Sequence, residues 1–437
     1  RDLHLSLRRQ RQMCIRDRLT RWPDELNNNW SHGTDMSYLK NFSDKWLNEF
    51  DWRTHEEKIN NIGSYSFKSS SGLKIHFLHS KSNSKDALPI VMTHGWPGSV
   101  QEFIKIIPML HANAAKPVDI ICPALPGFGF SDKPSKPGMN SKEMAKIQHE
   151  LVMALGYKKY IVQGGDWGAT ISKWMAELFP DNCIGLHSNM VLAWPPADKD
   201  PMEGVSSEEE RLLSNYDKYK QEGFGYYEIQ KTKPQTVGYA LNDSPIGLAA
   251  WIVEKFYGWF DGEENKLVVS DEEVQAIISL YWFSESITSS ARIYKENGDL
   301  GFSFEKISQP MAGAVFKRDL IAPPRAWAEE IYNVVQWNCL NLKKINPLKL
   351  RPYLGYRPVE IIRKTLKNTT QRAKMILHHP MQKHMKPRFL LLNSKRCYEM
   401  VSSDRFYANV KDIENGMVCC LLYTSDAADE GLGVDLG

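Results

Sequence analysis

The segment Gly-Gly-Asp-Trp-Gly at residues 164–168 places one acidic side chain, Asp166, between small residues. It follows the apolar run 160–163 and precedes the helix-like run 169–179, which predicts a tight strand-to-helix turn that projects the acid outwards. A carboxylate held there can attack a saturated carbon and leave an ester on the protein, which water must then cleave. The alternative is that Asp166 only caps the following helix, as aspartate commonly does.

A second segment, His-Gly-Trp-Pro-Gly-Ser at residues 94–99, follows the short apolar run 90–92. A loop at this place can direct a backbone N–H to the same point as the N–H of the residue after the acid. The predicted donors are the amides of Trp96 and Trp167. Hydrolysis of an alkyl ester passes through a tetrahedral oxyanion, so two fixed donors suit this chemistry. Alone, the segment is also typical of an ordinary Pro-Gly turn, and we expect a structural role for His94.

Alternating strands and helices are predicted to carry these segments. Apolar runs bounded by Gly and Pro are typical of buried strands, and helix-length stretches separate them. This order predicts a mostly parallel α/β sheet with helices on both faces. The predicted strands are 73–78, 87–92, 118–122, 159–163 and 311–316, and the predicted helices between them include 100–111 and 141–155.

Two helical regions stand outside this alternation. Residues 193–300 are rich in helix formers and aromatic residues, which predicts a helical cap over the carboxyl ends of the strands. Near the N terminus, Leu39, Phe42, Trp46 and Phe50 recur at three- and four-residue steps, as an amphipathic helix requires.

The composition excludes several classes of protein. Of 437 residues, 42% are hydrophobic and 24% charged, which excludes wholesale disorder and a coiled coil, and no apolar run is long enough to span a membrane. The seven cysteines are scattered without CxxC spacing, so we expect neither a disulfide framework nor a zinc site. The net charge of +3 is unevenly distributed, because residues 338–396 hold fifteen Lys or Arg against the single acid Glu360.

Taken together, the motifs resemble the epoxide hydrolases of the microsomal type, which have the α/β-hydrolase fold. The resemblance covers about residues 19–337 and implies a cofactor-free and metal-free enzyme that adds water to a small apolar epoxide to give a vicinal diol. It rests on WPDELNNNWSHGTDMSYL, FDWRTHEEKIN, HGWPGS, LPGFGFSDKP, GGDWGA, GYYEIQKTKPQTVGYALNDSPIGLAAWIVEKF, YWFSESITSSARIYKEN and VFKRDLIAPPRAWAEEIYN.

The resemblance also implies roles for individual residues. Asp166 corresponds to the nucleophile, and Tyr226 and Tyr294 to the two phenols that hold the epoxide oxygen. Tyr227 is adjacent to Tyr226, and the sequence leaves open which of the two reaches that oxygen. Asp319 matches the acid that orients a catalytic histidine.

The implied domains follow the motifs. We expect a non-native leader at 1–18, an epoxide-hydrolase-type extension at 19–70, the two parts of the hydrolase core at 71–192 and 301–337, a helical cap at 193–300, and an atypical basic and then acidic tail at 338–437 that is not family sequence.

The catalytic histidine of the family has no counterpart where the resemblance places it. Residues 338–347 contain neither glycine nor histidine, and the next histidines are His378, His379 and His384. We interpret the chain beyond Trp337 as altered, for instance by a shift of reading frame, because RRQRQMCIRDR and VCCLLYTSDAADE resemble translated adapter sequence. A metal site at HHPMQKH, a late histidine that replaces the missing one, and a nucleic-acid-binding tail are weaker alternatives. The chain as written is therefore expected to be alkylated once and to turn over poorly.

Two other functions stay open at this point. A haloalkane dehalogenase also uses an Asp nucleophile followed by Trp, and a catalytically inactive hydrolase scaffold would only bind apolar ligands. We expect no nucleic-acid partner, no membrane span and a cytoplasmic location. No oligomeric state is predicted.

Overall fold

The computed structural model describes residues 20–26, 30–114, 116–259, 269–298, 300–316 and 319–340. The segments 1–18 and 341–437 of the predicted leader and tail lie outside these described residues.

Within the described residues, one eight-stranded sheet carries the fold, with strand order β1-β2-β4-β3-β5-β6-β7-β8. Neighbours from β4 to β8 are parallel, whereas β1 with β2 and β2 with β4 are antiparallel. The strands are β1 (Ser64–Lys68), β2 (Lys74–Ser80), β3 (Leu88–Thr93), β4 (Val118–Pro123), β5 (Tyr160–Gly164), β6 (Cys183–Ser188), β7 (Pro310–Phe316) and β8 (Asn333–Leu340). The predicted mostly parallel sheet of an α/β-hydrolase fold is confirmed.

Twelve α-helices are described around this sheet. They are α1 (Met36–Asn48), α2 (Trp52–Ile62), α3 (Ile106–Asn113), α4 (Ser141–Ala154), α5 (Trp167–Leu178), α6 (Ser207–Glu222), α7 (Gly225–Thr232), α8 (Pro234–Asp243), α9 (Pro245–Gly258), α10 (Asp271–Phe283), α11 (Ile287–Gly298) and α12 (Arg325–Ile331). Helices α6 to α11 lie between β6 and β7 in the chain, in the range where the sequence predicts a helical cap.

The predicted helix over 100–111 is divided in the structure. A 3-10 helix at Val100–Phe103 comes first, and α3 begins only at Ile106. Pro108 lacks a backbone N–H and is therefore tolerated only in the first turn of a helix, which sets the start of α3.

The N-terminal helices pack on the cap. The indole of Trp46 in α1 donates to the hydroxyl of Ser279 in α10 at 2.8 Å, and both side chains are buried. Tyr38 donates to Asp271 at 2.7 Å, at the start of the same cap helix. These contacts join the first helix among the described residues to α10, which follows more than 200 residues later.

Candidate active site

Asp166 occupies the turn between β5 and α5 in a strained backbone conformation, with φ 53° and ψ −132°. Glycines on both sides make this turn feasible. A Cβ on Gly164 would lie 2.1 Å from the Gly168 carbonyl oxygen, and a Cβ on Gly168 would lie 2.0 Å from the Thr93 carbonyl oxygen. The GGDWG segment therefore brings β5, α5 and the end of β3 closer together than any side chain would allow.

The loop after β3 contacts the carboxylate directly. The backbone N–H of Trp96 donates to Asp166 Oδ1 at 2.8 Å. A Cβ on Gly95 would lie 2.1 Å from the same oxygen, so glycine is required for this approach. The Tyr281 hydroxyl fixes the loop from the cap side by donating to the Gly98 carbonyl at 2.9 Å.

The electrostatic environment of Asp166 combines opposing effects. Asp166 is half-buried, but protein atoms surround its carboxyl group densely, and this desolvation raises its pKa to about 6. The backbone amides of Trp96 and Trp167 oppose the shift. The carboxyl group is thus mainly ionised at neutral pH, yet it binds a proton more tightly than an ordinary aspartate.

Two buried tyrosines from the cap meet the tryptophans of this site. The ring of Tyr226, in α7, stacks on Trp96 with centroids 5.5 Å apart and planes 12° apart. Tyr294, in α11, packs edge-on against Trp96 at 5.7 Å and Trp167 at 5.0 Å. The two tyrosine rings lie 5.8 Å apart. Trp96 and Trp167, whose backbone amides act on Asp166, therefore also contact the rings of the two tyrosines.

The two phenols are strongly desolvated. Burial raises the pKa of Tyr226 and of Tyr294 well above its usual value, and the charge of Asp166 adds to both shifts. The side chains of Trp167 and Tyr226 lie close to the Tyr294 hydroxyl and oppose the rise in its pKa. The hydroxyl nevertheless forms no hydrogen bond of ordinary geometry with any described residue. A buried O–H without such a partner can donate to a bound ligand.

The structure distinguishes Tyr226 from its neighbour. Tyr227 is half-buried and stacks on Phe224, with centroids 4.4 Å apart. The charges that act on Tyr227 are those of Glu228 and Tyr216, whereas Asp166 acts on Tyr226. Tyr226 is therefore the member of the pair that faces the carboxylate.

Asp319 lies after β7, at the carboxyl ends of the parallel strands, where Asp166 also lies. Its carboxylate accepts a hydrogen bond from the Leu320 amide at 2.9 Å. The strand order places β6 between the strands that precede the two acids.

A histidine partner for Asp166 is absent from the described ranges. His94 is engaged with backbone through both ring nitrogens, with Gly95 O at 2.9 Å and with the Leu125 amide at 3.2 Å, and burial lowers its pKa to about 4. This geometry agrees with the structural role expected for His94. The segment that the family would use for a histidine continues past 340, and His378, His379 and His384 also lie outside the described residues.

Sequence reasoning missed one buried neighbour of this site. Lys255 lies in α9 with its ammonium over the ring of Tyr226. A signal was available, because Lys255 stands among apolar and aromatic residues in AWIVEKFYGW, where a solvated lysine is unexpected.

Within the described residues, no group of three or more His, Cys, Asp or Glu is arranged to hold a metal ion. No helix in that part of the chain is sufficiently long and apolar to cross a membrane.

Two family models match the chain. The model described as "Epoxide hydrolase N terminus" matches residues 2–103, and the model described as "alpha/beta hydrolase fold" matches residues 89–260. Together they include the Asp166 turn, the Trp96 loop and most of the cap.

Known proteins of the same kind are similar over most of the chain. A candidate epoxide hydrolase of Stigmatella aurantiaca is 44% identical over 328 residues, which are 73% of this chain and 74% of that protein. Epoxide hydrolase 1 of Sus scrofa is 37% identical over 365 residues, 76% of this chain and 78% of that protein. The juvenile hormone epoxide hydrolase of the silkworm Bombyx mori has a similar structure, with a TM-score of 0.74, 29% identity and coverage of 86% of this chain and 93% of that one. The chain belongs to the epoxide hydrolases of the α/β-hydrolase family.

Proposed function

We propose that the chain opens a small apolar epoxide by nucleophilic attack of the Asp166 carboxylate. One observation carries the proposal: a partly accessible carboxylate at a strained turn is held through Oδ1 by the Trp96 amide and faces two buried phenols. Since the Trp96 amide holds Oδ1, we assign the attack to the other carboxylate oxygen.

The first step forms a bond from that oxygen to a ring carbon and breaks the bond from this carbon to the epoxide oxygen. The electron pair of the broken bond goes to the epoxide oxygen, which takes a proton or a hydrogen bond from Tyr226 and Tyr294. The product is a hydroxyalkyl ester on Asp166. No cofactor is needed for these bond changes.

The second step adds water to the carbonyl carbon of this ester and places negative charge on the former Oδ1. The amides of Trp96 and Trp167 would stabilise that charge. The same two amides would therefore have two roles: they orient the carboxylate before the first step, and they stabilise the oxyanion in the second step. The bond from the carbonyl carbon to the ester oxygen then breaks, so that this oxygen leaves with the vicinal diol and takes up the proton given up by the water, while the oxygen of the water stays in the restored Asp166 carboxylate.

Deprotonation of the water would require a histidine oriented by Asp319. Residues 338–347, where the resemblance to epoxide hydrolases places this histidine, contain none. We therefore propose that this chain completes the first step and hydrolyses the ester slowly.

The two phenols also favour an epoxide over a haloalkane. An opening epoxide develops an alkoxide, which needs a proton donor, and a phenol O–H supplies one. Chloride released from a haloalkane needs no proton, so that reaction would not need the tyrosine pair as proton donors.

The experiment is a rapid-quench measurement of adduct formation with styrene oxide, a small apolar epoxide, followed by intact mass spectrometry. We expect a burst of about one ester adduct per chain, followed by slow turnover. Tyr226→Phe and Tyr294→Phe should slow adduct formation roughly 10- to 100-fold, the effect of losing a hydrogen bond to a charged group. Tyr227→Phe is the matched control and should leave the rate close to that of the unsubstituted chain.

Two results would contradict the proposal. Equal rates for all three tyrosine variants would remove the phenols from the mechanism. Rapid turnover without a burst would show that hydrolysis of the ester is not slow.

The predicted domain division and the cytoplasmic location stay predictions. Limited proteolysis tests the boundaries at residues 70, 192, 300 and 337, and fractionation of cells that produce the chain tests its location.

A further inference from the structure

Lys255 is a buried charge that the reaction described above does not use. It lies in α9, and only 5% of the residue is exposed. Burying an ammonium group is costly unless other groups compensate. Leucine or methionine would fill the same position without that cost, so packing alone does not account for a lysine there.

Three aromatic rings surround the ammonium. Lys255 Nζ lies 4.3 Å from the ring centroid of Tyr226, 5.9 Å from that of Trp259 and 6.0 Å from that of Trp251. A cation at such a distance over an aromatic face is attracted by the π electrons of the ring. Tyr226 is the nearest of the three rings, so the strongest of these interactions involves the tyrosine of the proposed site.

The charge partner of Lys255 lies on the outer side of the helix. Glu254, the preceding residue, forms an ion pair with the ammonium, and 33% of its side chain is exposed, against 7% for Lys255. Burial lowers the pKa of Lys255, and Glu254 opposes this shift. The pair therefore keeps a positive charge against the tyrosine ring and leaves the compensating negative charge nearer to solvent.

The position of Lys255 affects the strength of the Tyr226 hydroxyl as a proton donor. Burial and the nearby charge of Asp166 both raise the pKa of the phenol, which makes the hydroxyl a poorer proton donor. A cation over the ring withdraws electron density from it and stabilises negative charge on the phenol oxygen. Its effect is thus opposite to that of burial and of Asp166.

We propose that Lys255 is a positioning residue that acts through the ring of Tyr226 to strengthen this hydroxyl as a donor to the epoxide oxygen. The inference rests on the role proposed above for Tyr226. Lys255 contacts the tyrosine ring rather than the reacting atoms, so its effect should depend entirely on the Tyr226 hydroxyl.

The test is a double-mutant cycle on the rate of adduct formation with styrene oxide. Lys255→Met removes the charge and keeps a long apolar side chain. We expect it to slow the reaction roughly 3- to 30-fold, the effect of a desolvated cation–π contact. In a Tyr226→Phe background the same substitution should have little further effect, whereas in a Tyr294→Phe background it should keep its full effect.

Two further variants separate charge from packing. Lys255→Arg keeps a cation that also stacks on aromatic rings, and it should restore most of the rate lost in Lys255→Met. Glu254→Gln removes the group that opposes the effect of burial on the pKa of Lys255, so its effect on the rate should grow with rising pH as the lysine loses its proton. Thermal unfolding of each variant checks that the fold is intact.

The possible failures can be told apart. If Lys255→Met slows the reaction equally with and without the Tyr226 hydroxyl, Lys255 acts only through packing and the inference is overturned. If Lys255→Met leaves the rate unchanged while Tyr226→Phe reduces it, the inference fails and the proposed function stands. If Tyr226→Phe itself has no effect, the proposed role of the phenol fails.

Discussion

At the scale of single residues, Asp166 shows how the site tunes a nucleophile. Desolvation makes the carboxylate more basic, and therefore more nucleophilic, while the amides of Trp96 and Trp167 keep it ionised at neutral pH. Without the amides, burial would favour the protonated acid, which cannot attack carbon. Full solvation would leave a weakly basic carboxylate surrounded by water.

The raised pKa of Asp166 predicts the pH dependence of the first step. Only the ionised form attacks, so the rate of adduct formation should decrease as the pH falls through about 6. The measurement is the single-turnover rate between about pH 3 and pH 8, a range that includes the ordinary aspartate value near 3.9. A rate that stays constant down to about pH 5 and decreases only near the ordinary value would show that burial does not shift the pKa of this carboxyl group.

The sequence predicted much of this residue-level picture, but not all of it. Asp166, Trp96 and Trp167 could be identified because a tight turn imposes strict requirements on residue size. The choice between Tyr226 and Tyr227 needed coordinates, because neighbouring residues on a helix point about 100° apart and both are tyrosines. The burial of Lys255 was indicated by its apolar surroundings in AWIVEKFYGW, but its place over the Tyr226 ring depends on how two cap helices pack.

At the scale of elements, the site depends on three backbones that meet within van der Waals distance. The end of β3, the end of β5 and the start of α5 approach each other at Gly164 and Gly168. Each backbone contributes one part: β5 presents the acid, α5 the Trp167 amide, and the loop after β3 the Trp96 amide. A change that separates these elements should therefore affect folding as well as chemistry.

Alanine at Gly168 should be strongly destabilising. Its Cβ would lie 2.0 Å from the Thr93 carbonyl oxygen, so β3 or α5 must move. We expect a loss of roughly 3 kcal/mol or more in the free energy of unfolding, measured by urea denaturation. Gly225→Ala is the control: a Cβ there meets no atom within 4 Å, and alanine is the better helix former at this position in α7. Equal stability of the two variants would contradict the tight contact.

The strands that the sequence analysis found and missed differ in their composition. Runs such as VDIIC and ALPIVM mark β4 and β3, which are buried on both faces. By contrast, β1 is a half-buried edge strand of sequence SYSFK, and β6 is interrupted by glycine and histidine in CIGLHS. Periodicity alone does not separate such segments from loops, and their partners in the sheet define them.

At the scale of the whole molecule, the N-terminal helices hold the cap beside the sheet. Besides Trp46 and Tyr38, His55 in α2 contacts Glu272 at 3.0 Å, and Lys105 of the core forms an ion pair with Glu273. The first turns of α10 are therefore attached both to the N-terminal segment and to the hydrolase core. This attachment holds α10, which is followed directly in the chain by α11 and its Tyr294.

The active site should reduce the stability of the whole molecule. Because the pKa of Asp166 is raised in the folded state, the folded chain binds this proton more tightly than the unfolded chain, and protonation stabilises the fold. This stabilisation is fully present below the unfolded value of 3.8 and is lost as the pH rises through about 6. Asp166→Asn removes this cost, so we expect the variant to be more stable at neutral pH by roughly 1–3 kcal/mol, allowing for partial exposure.

Urea denaturation at neutral pH and near pH 4 tests this stability effect. The gain from Asp166→Asn should shrink at the lower pH, where Asp166 is protonated in the folded state. A variant that is less stable than the unsubstituted chain at neutral pH would contradict the account.

The most direct test of the central claim is the position of the covalent adduct. The chain is incubated with styrene oxide, quenched in acid, digested and analysed by peptide mass spectrometry, with Asp166→Asn treated in parallel. The account predicts the added mass on the peptide that contains Asp166, removed by alkali as an ester would be, and its absence from that peptide in the Asn variant. An adduct confined to another residue, such as the exposed thiol of Cys339, or diol formation without any adduct at Asp166, would contradict it.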